Sequence, residues 1–135
     1  MANSNRDIEE ILKFQTVAVV GCSPKRERPS HQVSVYLMDA GYRIIPVNPA
    51  HPQLLGERCY PSLLDIPEPI EVVDIFRKAD AVLAVVQQAI EIRAKAIWLQ
   101  DGIDAPEAVE LARRHGLKVV ANDCLMRQHL SRLGR

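Results

Sequence analysis

Short apolar runs alternate with amphipathic segments along most of this chain. Five runs are rich in β-branched or other apolar residues and are four to six residues long: residues 16–21, 42–47, 71–76, 96–99 and 118–121. Runs this short and this apolar are typical of strands that are buried on both faces of a parallel sheet. Their alternation with helical segments predicts an α/β fold, a doubly wound parallel sheet of about five strands with helices on both faces. We expect the strand order 3-2-1-4-5.

The segments between the runs carry apolar residues at helical spacing. Ser30, Asp80 and Asp104 each stand where a short polar side chain can cap the next helix. Pro46 removes a ladder donor, but it lies at the end of the second strand, where the loss is tolerable. Helices are predicted over residues 7–14, 30–40, 80–92, 104–116 and 123–133, and residues 49–69, with five of the nine prolines, form an irregular crossover with a short helix at best.

Length and composition limit the size and the setting of the protein. The 135 residues, 47% hydrophobic and 25% charged, predict one domain. Together with the alternation of strands and helices, this gives a single Rossmann-like domain over residues 1–135, with residues 1–14 as an N-terminal helical extension. No apolar run reaches the length of a membrane span, and the N-terminus has no signal-peptide core. The three cysteines at wide spacings predict reduced thiols in a cytoplasm, without a disulfide framework or a metal site.

The charge balance restricts the class of partner. Seventeen basic and 17 acidic residues give a formal net charge of zero, so the global positive field that holds nucleic acid or an anionic membrane is absent. An anion must therefore be bound by a local cluster. Ligands of open α/β sheets bind outside the carboxyl ends of the strands, and here the loops that follow the strands hold polar and basic residues. These loops begin at residues 21, 48, 77, 100 and 122.

The loop after the first strand is the most informative of these. Gly21 allows a tight turn off the strand, and Lys25, Arg26 and Arg28 follow before the helix that begins near Ser30. Free N–H groups and the positive end of a helix dipole favour an anion there. A solvated loop tip is the simpler interpretation of a charge run, but the position between strand and helix favours an anion site.

The loop does not match the common nucleotide fingerprints. In a G-x-G-x-x-G motif the three glycines would fall at Gly21, Ser23 and Arg26, so two are missing, and Asn48 stands near the place of the acid that binds an NAD ribose. No P-loop motif is present either. A longer and more basic loop suits a nucleotide that carries more phosphate than NAD does.

Several segments together resemble a known family. They are VAVVGCS at 17–23, RPSH at 28–31, GYRIIPVNP at 41–49, VVDIFR at 72–77 and WLQ at 98–100. In combination they resemble the small stand-alone CoA-binding proteins, which are similar to the CoA-binding domain of the succinyl-CoA synthetase α-subunit. The similarity covers residues 14 to 130.

The resemblance implies that coenzyme A or an acyl-CoA is the ligand and assigns four groups of binding residues. The phosphates of the 3′-phospho-ADP moiety would be held by Gly21, Cys22, Ser23, Lys25, Arg26, Arg28 and Ser30; the adenosine or phosphate region would be flanked by Val47, Asn48 and Pro49; the crevice would be lined by Phe76, Arg77 and Lys78; and the pantetheine arm would lie beside Leu99, Gln100 and Gly102. Two positions depart from the family pattern. Arg93 stands at a helix-end turn where glycine is frequent, and Asp101 stands where an apolar residue is common.

No catalytic constellation can be assigned from the residue types. His31 is near the expected crevice, but a neutral imidazole there most simply packs or donates a hydrogen bond. The carboxylates of Asp65, Glu68, Glu71 and Asp74 are expected at the surface. Cys22 lies beside cations and free amides, which lower a thiol pKa and favour a mixed disulfide with CoA. The simpler interpretation is a small buried residue in a tight turn.

The leading hypothesis is a CoA or acyl-CoA binding protein with no catalysis of its own. One alternative is a non-catalytic subunit or remnant of an ATP-dependent acyl-CoA ligase that acts with an ATP-grasp chain. Another is an NAD(P)-binding sensor module. The sequence leaves open whether the protein has a protein partner or forms a homo-oligomer.

Overall fold

A computed structural model describes residues 3–132 as a five-stranded parallel sheet between two layers of helices. All five predicted strands are confirmed, each within one residue at either end. The five predicted helices are confirmed within two residues at their described ends, and the predicted end at residue 133 lies outside the described residues. The elements in chain order are α1 (Asn5–Leu12), β1 (Thr16–Val20), α2 (Pro29–Asp39), β2 (Arg43–Val47), β3 (Gln53–Leu54), β4 (Glu57–Arg58), a 3-10 turn (Leu63–Asp65), β5 (Val72–Ile75), α3 (Ala79–Glu91), β6 (Ala96–Leu99), α4 (Pro106–Arg114), β7 (Lys118–Val120) and α5 (Leu125–Arg132).

The strand order is β2-β1-β5-β6-β7, so the predicted order 3-2-1-4-5 is wrong. After β2 the chain returns across β1, and β5 pairs with the free side of β1 rather than with β2. The outer edge of β2 is already covered, because the Tyr60 N–H donates to the carbonyl of Pro46 and the Asn48 N–H donates to that of Tyr60. Pro46 has no backbone N–H, so it cannot donate a hydrogen bond to a full strand on that side. The switch in direction therefore falls between β1 and β5.

Two apolar layers cover the sheet. The layer on one face includes residues of α3, α4 and the 3-10 turn, and the layer on the other face includes residues of α1, α2 and α5. Ile8, Ile11 and Leu12 of α1 are buried in the second layer, as their spacing predicts. None of the helices in the described part of the chain combines the length and the apolar character needed to cross a membrane.

The predicted helix caps are wrong at three positions. Arg28, Lys78 and Ala105 occupy the N-cap positions of α2, α3 and α4, and none of them makes a side-chain capping bond. Pro29 and Pro106 stand in the first turn of α2 and α4, where the fixed φ of proline starts a helix. Helix α2 therefore begins before Ser30, and α4 begins after Asp104.

The irregular crossover contains a small hairpin that the sequence pattern does not predict. Strands β3 and β4 pair antiparallel across Leu55 and Gly56, which both have positive φ, at 59° and 75°. This geometry suits a two-residue hairpin turn, but Leu-Gly is not one of its strong sequence signals. At the end of α3, Arg93 adopts a φ of 61°, a left-handed conformation that favours glycine.

Candidate functional site

A crevice of about 670 Å³ opens at the carboxyl ends of β1, β5, β6 and β7. This is the edge where a doubly wound sheet binds its ligand, next to the switch between β1 and β5. Nine of the predicted site residues line it, namely Gly21, Ser23, Lys25, Arg28, Ser30, Phe76, Arg77, Lys78 and Gln100.

The strand order gives the crevice two ends. The loops after β1 and β5 form one end, and the loops after β6 and β7 form the other. Strands β1 and β7 are three strand spacings apart, about 14 Å. We call the first the cation end, formed by Lys25, Arg28, Arg77 and Lys78. The second is the paired end, lined by Asp101 and Arg127 with the neighbouring side chains of Ile103, Cys124 and Met126. Asp123 does not line the crevice but belongs to the paired end through its salt bridge with Arg127.

At the cation end, the turn after β1 depends on a glycine. Gly21 has a φ of 84°, and a Cβ atom there would lie 2.6 Å from the carbonyl oxygen of Phe76. The first loop therefore packs directly against the backbone of the loop after β5. This close approach brings Arg77 beside the β1 loop, although the two segments are far apart in sequence.

Ser23 and Ser30 hold the first loop in shape. The Ser23 N–H donates to Ser30 Oγ at 3.0 Å, and the Lys25 N–H donates to Ser23 Oγ at 3.1 Å. His31 Nδ1 lies 3.0 Å from the carbonyl oxygen of Ser23. The backbone N–H groups of His31 and Gln32 both donate to the carbonyl of Arg28, so fewer amides are free at the start of α2 than the sequence predicts.

The four basic side chains of the cation end have no carboxylate partner in the described part of the chain. Within residues 3–132, Lys25, Arg28, Arg77 and Lys78 make no salt bridge with a carboxylate, although basic residues elsewhere in the chain do. Arg26 is exposed but does not line the crevice. The cation end therefore offers positive charge that the fold itself leaves uncompensated.

The segment after β2 lines a second, smaller cavity rather than the crevice. Val47 and Pro49 line this cavity of about 220 Å³, and Arg77 lines both cavities. Asn48 serves as a structural link, because its Nδ2 donates to the carbonyl of Cys22 at 2.8 Å and its Oδ1 accepts from the Ala50 N–H at 2.8 Å.

Cys22 is sealed beneath the cation end. Its side chain has no exposed surface, and its Sγ lies 3.8 Å from Ser34 Oγ. Burial raises the pKa of the Cys22 thiol to about 11, so the expectation of a lowered pKa is wrong. Desolvation is the largest cause, and the hydrogen bond with Ser34, which lowers the pKa, only partly offsets it. The simpler interpretation, a small buried residue in a tight turn, agrees with this geometry.

Gln100 and Asp74 form a buried pair near the middle of the crevice. Gln100 lines the crevice, and its Nε2 donates to Asp74 Oδ1 at 3.1 Å. Asp74 is completely buried, so the expectation of a surface carboxylate is wrong, and burial raises its pKa well above the ordinary value. The reason is its position on β5, where it is paired with Val19 and Trp98 in the middle of the sheet.

Leu99 and Gly102 were expected beside the ligand but do not line the crevice. Leu99 is fully buried in the layer of α3 and α4. Gly102 is exposed, and its N–H donates to Asn122 Oδ1 at 2.8 Å, which connects the loops after β6 and β7. Trp98 packs in the opposite layer, and its Nε1 donates to the carbonyl of Asp123 at 3.0 Å.

The paired end contains Arg127, which sequence reasoning missed, and Asp101, which it noted only as a departure from the family pattern. Arg127 donates to both carboxylate oxygens of Asp101, each at 2.9 Å, and to Asp123 Oδ1 at 2.9 Å. These bonds lower the pKa of Asp101. Extending the search from the loop after the fifth strand into the first turn of the next helix would have found Met126 and Arg127. The lining residues absent from the predicted set are Pro29, Gln32, Val33, Asp101, Ile103, Cys124, Met126 and Arg127.

Comparison with family models supplies one match over most of the chain. A model described as "CoA binding domain" matches residues 15–129. This range contains all five strands of the parallel sheet and every residue that lines the crevice.

Individual relatives agree with that match. "Uncharacterized protein YneT" of Bacillus subtilis is 37% identical over 127 residues, which are 93% of this chain and 94% of that protein. An ADP-forming acetate–CoA ligase I of Archaeoglobus fulgidus is 30% identical over 87% of this chain, and the match spans only 19% of the ligase. A solved structure described as a "hypothetical protein from Pyrococcus horikoshii OT3" superposes with a TM-score of 0.94 at 46% identity, covering 97% of this chain and 93% of the other.

Proposed function

The chain belongs to the CoA-binding domain family, and from this premise we propose that it binds coenzyme A or an acyl-CoA in the crevice, with no catalysis of its own. The observation that carries the proposal is the cation end, where four basic side chains line one crevice without a carboxylate partner in the described part of the chain. CoA carries several phosphate charges, and charge-assisted bonds to them are strong.

The two ends of the crevice suit the two ends of this ligand. The phosphates of the 3′-phospho-ADP moiety lie against Lys25, Arg28, Arg77 and Lys78. The pantetheine arm passes Phe76 and Gln100, which combine an apolar surface with an amide. The thiol then reaches the paired end. We propose that Arg77, which lines both cavities, also faces the adenosine side beside Val47 and Pro49. The remaining residues of the expected set, Cys22, Arg26, Asn48, Leu99 and Gly102, then lie around the crevice without lining it.

The setting of this binding is part of the proposal. The three cysteines are free and buried, which is typical of a reducing compartment, so we expect the protein to act in the cytoplasm. A balanced overall charge supports a small-molecule ligand rather than nucleic acid.

Isothermal titration calorimetry with CoA, dephospho-CoA, NAD and NADP tests the ligand. We expect CoA to bind about tenfold more tightly than dephospho-CoA, a difference of about 1.4 kcal/mol, because dephospho-CoA lacks the 3′-phosphate. The buried Trp98 supplies an independent fluorescence signal. Affinity for CoA weaker than about 1 mM would refute the proposal, and a preference for NAD or NADP would favour a dinucleotide sensor.

A second candidate function follows from the ligase relatives. The chain matches about a fifth of an ADP-forming acetate–CoA ligase, so it can act as one non-catalytic subunit of such an enzyme, with an ATP-grasp chain as its protein partner. The test is to measure ADP and acetyl-CoA formation from ATP, acetate and CoA. Activity that requires both chains would support this candidate, and inactivity of a stable two-chain complex would refute it.

A further inference from the structure

The paired end carries charges that phosphate binding does not use. The guanidinium of Arg127 faces two carboxylates, those of Asp101 and Asp123. Within the described residues, no other cation from the loops after β6 and β7 lines the crevice. This end is therefore negative on balance, in contrast to the cation end.

The bond between Arg127 and Asp101 is bidentate, with both distances at 2.9 Å. Two parallel N–H···O bonds are the geometry in which a guanidinium binds a carboxylate most specifically. Asp101 thus occupies the face of Arg127 that an incoming carboxylate would use. Asp123 accepts a further hydrogen bond from the Arg127 side chain.

The pair remains accessible to a ligand. The side chains of Asp101 and Arg127 are 56% and 55% exposed, whereas Asp123 is 15% exposed. Exposed ion pairs are individually weak, so an effect on affinity is expected to be moderate and to decrease with salt.

The position of the pair relative to the proposed ligand gives it a role, and this step depends on the proposed function. With the phosphates at the cation end, the thiol end of CoA reaches the paired end across the strand ends. An acyl group on the thiol then meets the apolar side chains of Ile103 and Met126 and the pair of Asp101 and Arg127. A carboxylate at the end of that acyl group would approach two carboxylates and a guanidinium that is already bound.

We propose that Asp101 is a specificity-determining residue. By occupying Arg127, it makes the paired end accept a free thiol or an uncharged acyl group and discriminate against an acyl group that ends in a carboxylate.

Two thioesters of equal acyl carbon number test this inference. Butyryl-CoA ends in a methyl group and succinyl-CoA ends in a carboxylate. In calorimetric titrations at low ionic strength, we expect CoA and butyryl-CoA to bind similarly and succinyl-CoA to bind about fivefold more weakly. Added salt should reduce this ratio because it screens the exposed charges.

Matched variants test whether Asp101 causes the difference in affinity between butyryl-CoA and succinyl-CoA. Asp101→Asn removes one carboxylate and frees the face of the guanidinium that Asp101 occupies, while the bond to Asp123 remains. The preference for butyryl-CoA over succinyl-CoA should then disappear or reverse. Asp104→Asn removes an exposed carboxylate from the same β6–α4 loop, outside the crevice, and should leave the ratio unchanged. The double variant Asp101→Asn with Arg127→Gln should lose the gain in succinyl-CoA binding that Asp101→Asn alone produces. Circular dichroism verifies that each variant is folded.

The outcomes separate this inference from the proposed function. Equal affinities of the parent protein for butyryl-CoA and succinyl-CoA would overturn the role of Asp101 while the proposed function stands. An unchanged ratio in folded Asp101→Asn would do the same. Failure of the folded parent to bind CoA and both thioesters would overturn the proposed function and, with it, this inference.

Discussion

Arg77 at the cation end and Arg127 at the paired end line the same crevice, yet only Arg127 has carboxylate partners among the described residues. An arginine bound to two carboxylates has little attraction left for an anion, because a new partner must replace an existing one. An arginine without an internal partner gains a charge-assisted bond when an anion arrives. The comparison teaches that the pairing of a basic residue, more than its presence, determines where a polyanion binds.

The contact that assembles the cation end is also its most sensitive point. Gly21→Ala adds a Cβ atom 2.6 Å from the Phe76 carbonyl oxygen at a residue with positive φ. We expect a loss of about 3 kcal/mol in the free energy of unfolding, from left-handed strain and the backbone clash together. Gly41→Ala is the control, because Gly41 also has positive φ but has open space around it. Urea denaturation measures both, and equal losses would show that the clash does not matter.

Because of the buried thiol beneath the cation end, we expect the stability of the protein to change with pH in the alkaline range. The ordinary thiol pKa is 9.0, and burial raises that of Cys22 to about 11. Between these values the unfolded chain releases the proton and the folded chain keeps it. The free energy of unfolding should therefore be unaffected by this thiol below pH 9 and fall by about 1.4 kcal/mol per pH unit above it, roughly 2–3 kcal/mol in all. Urea titrations of the parent and Cys22→Ala from neutral to alkaline pH should diverge above pH 9, and parallel curves would contradict the prediction.

Alanine substitution at Arg77 and at Arg127 compares the two ends directly. Arg77→Ala should weaken CoA binding by about 1–3 kcal/mol, because an uncompensated cation is lost. Arg127→Ala should change the affinity by less than about threefold, since this guanidinium is already paired. Lys13→Ala removes a charge at the opposite edge of the sheet, just before β1, and serves as the control. Equal losses for Arg77→Ala and Arg127→Ala in calorimetry would remove the distinction between the ends.

Two neighbouring arginines in the first loop sharpen the same comparison within one end. Arg28 lines the crevice and Arg26 does not. We expect Arg28→Ala to weaken CoA binding by about 1–2 kcal/mol and Arg26→Ala to weaken it by less than about 0.5 kcal/mol. The salt dependence of the affinity should also decrease more for Arg28→Ala. A larger loss of affinity for Arg26→Ala than for Arg28→Ala would mean that the loop changes conformation when the ligand binds.

A substitution away from both ends should alter stability without altering binding. Arg93 has a φ of 61° in the turn between α3 and β6, at the edge of the sheet opposite the crevice. Arg93→Gly should raise the free energy of unfolding by about 0.5–1 kcal/mol, because glycine adopts this conformation without strain. CoA affinity should stay the same. A thermal shift assay and calorimetry on one sample measure both, and a lower melting temperature would show that the Arg93 side chain stabilises the fold.

Much of the candidate site could be predicted because its residues follow strands. Once a parallel sheet is inferred, the loops after Gly21, Ile75 and Leu99 must meet at one edge, and Arg28, Arg77 and Gln100 all line the crevice there. The side of a loop on which a residue points is not contained in that rule. Arg26 and Arg28 are arginines of the same loop, so the sequence does not distinguish their roles. Only the folded loop shows which of them lines the crevice.

The residues of the paired end show why the remainder was missed. Asp101 and Arg127 are 26 positions apart, and neither carries a local signal of the other. Their bond exists because β6 and β7 are neighbours in the sheet and the loops that follow them converge. Asp74 is similar, because its burial depends on lying between β1 and β6.

The amino-acid sequence by itself determined the strands and helices, the α/β class and the basic loop after β1. These depend on apolar periodicity and on glycine and proline at turns, which act over a few residues. The tertiary structure decided the strand order, the burial of Cys22 and Asp74, and which of the cations at the crevice lack a carboxylate partner among residues 3–132. Those properties depend on which distant segments pack together, and desolvation and ion pairing are set by that packing rather than by neighbours along the chain.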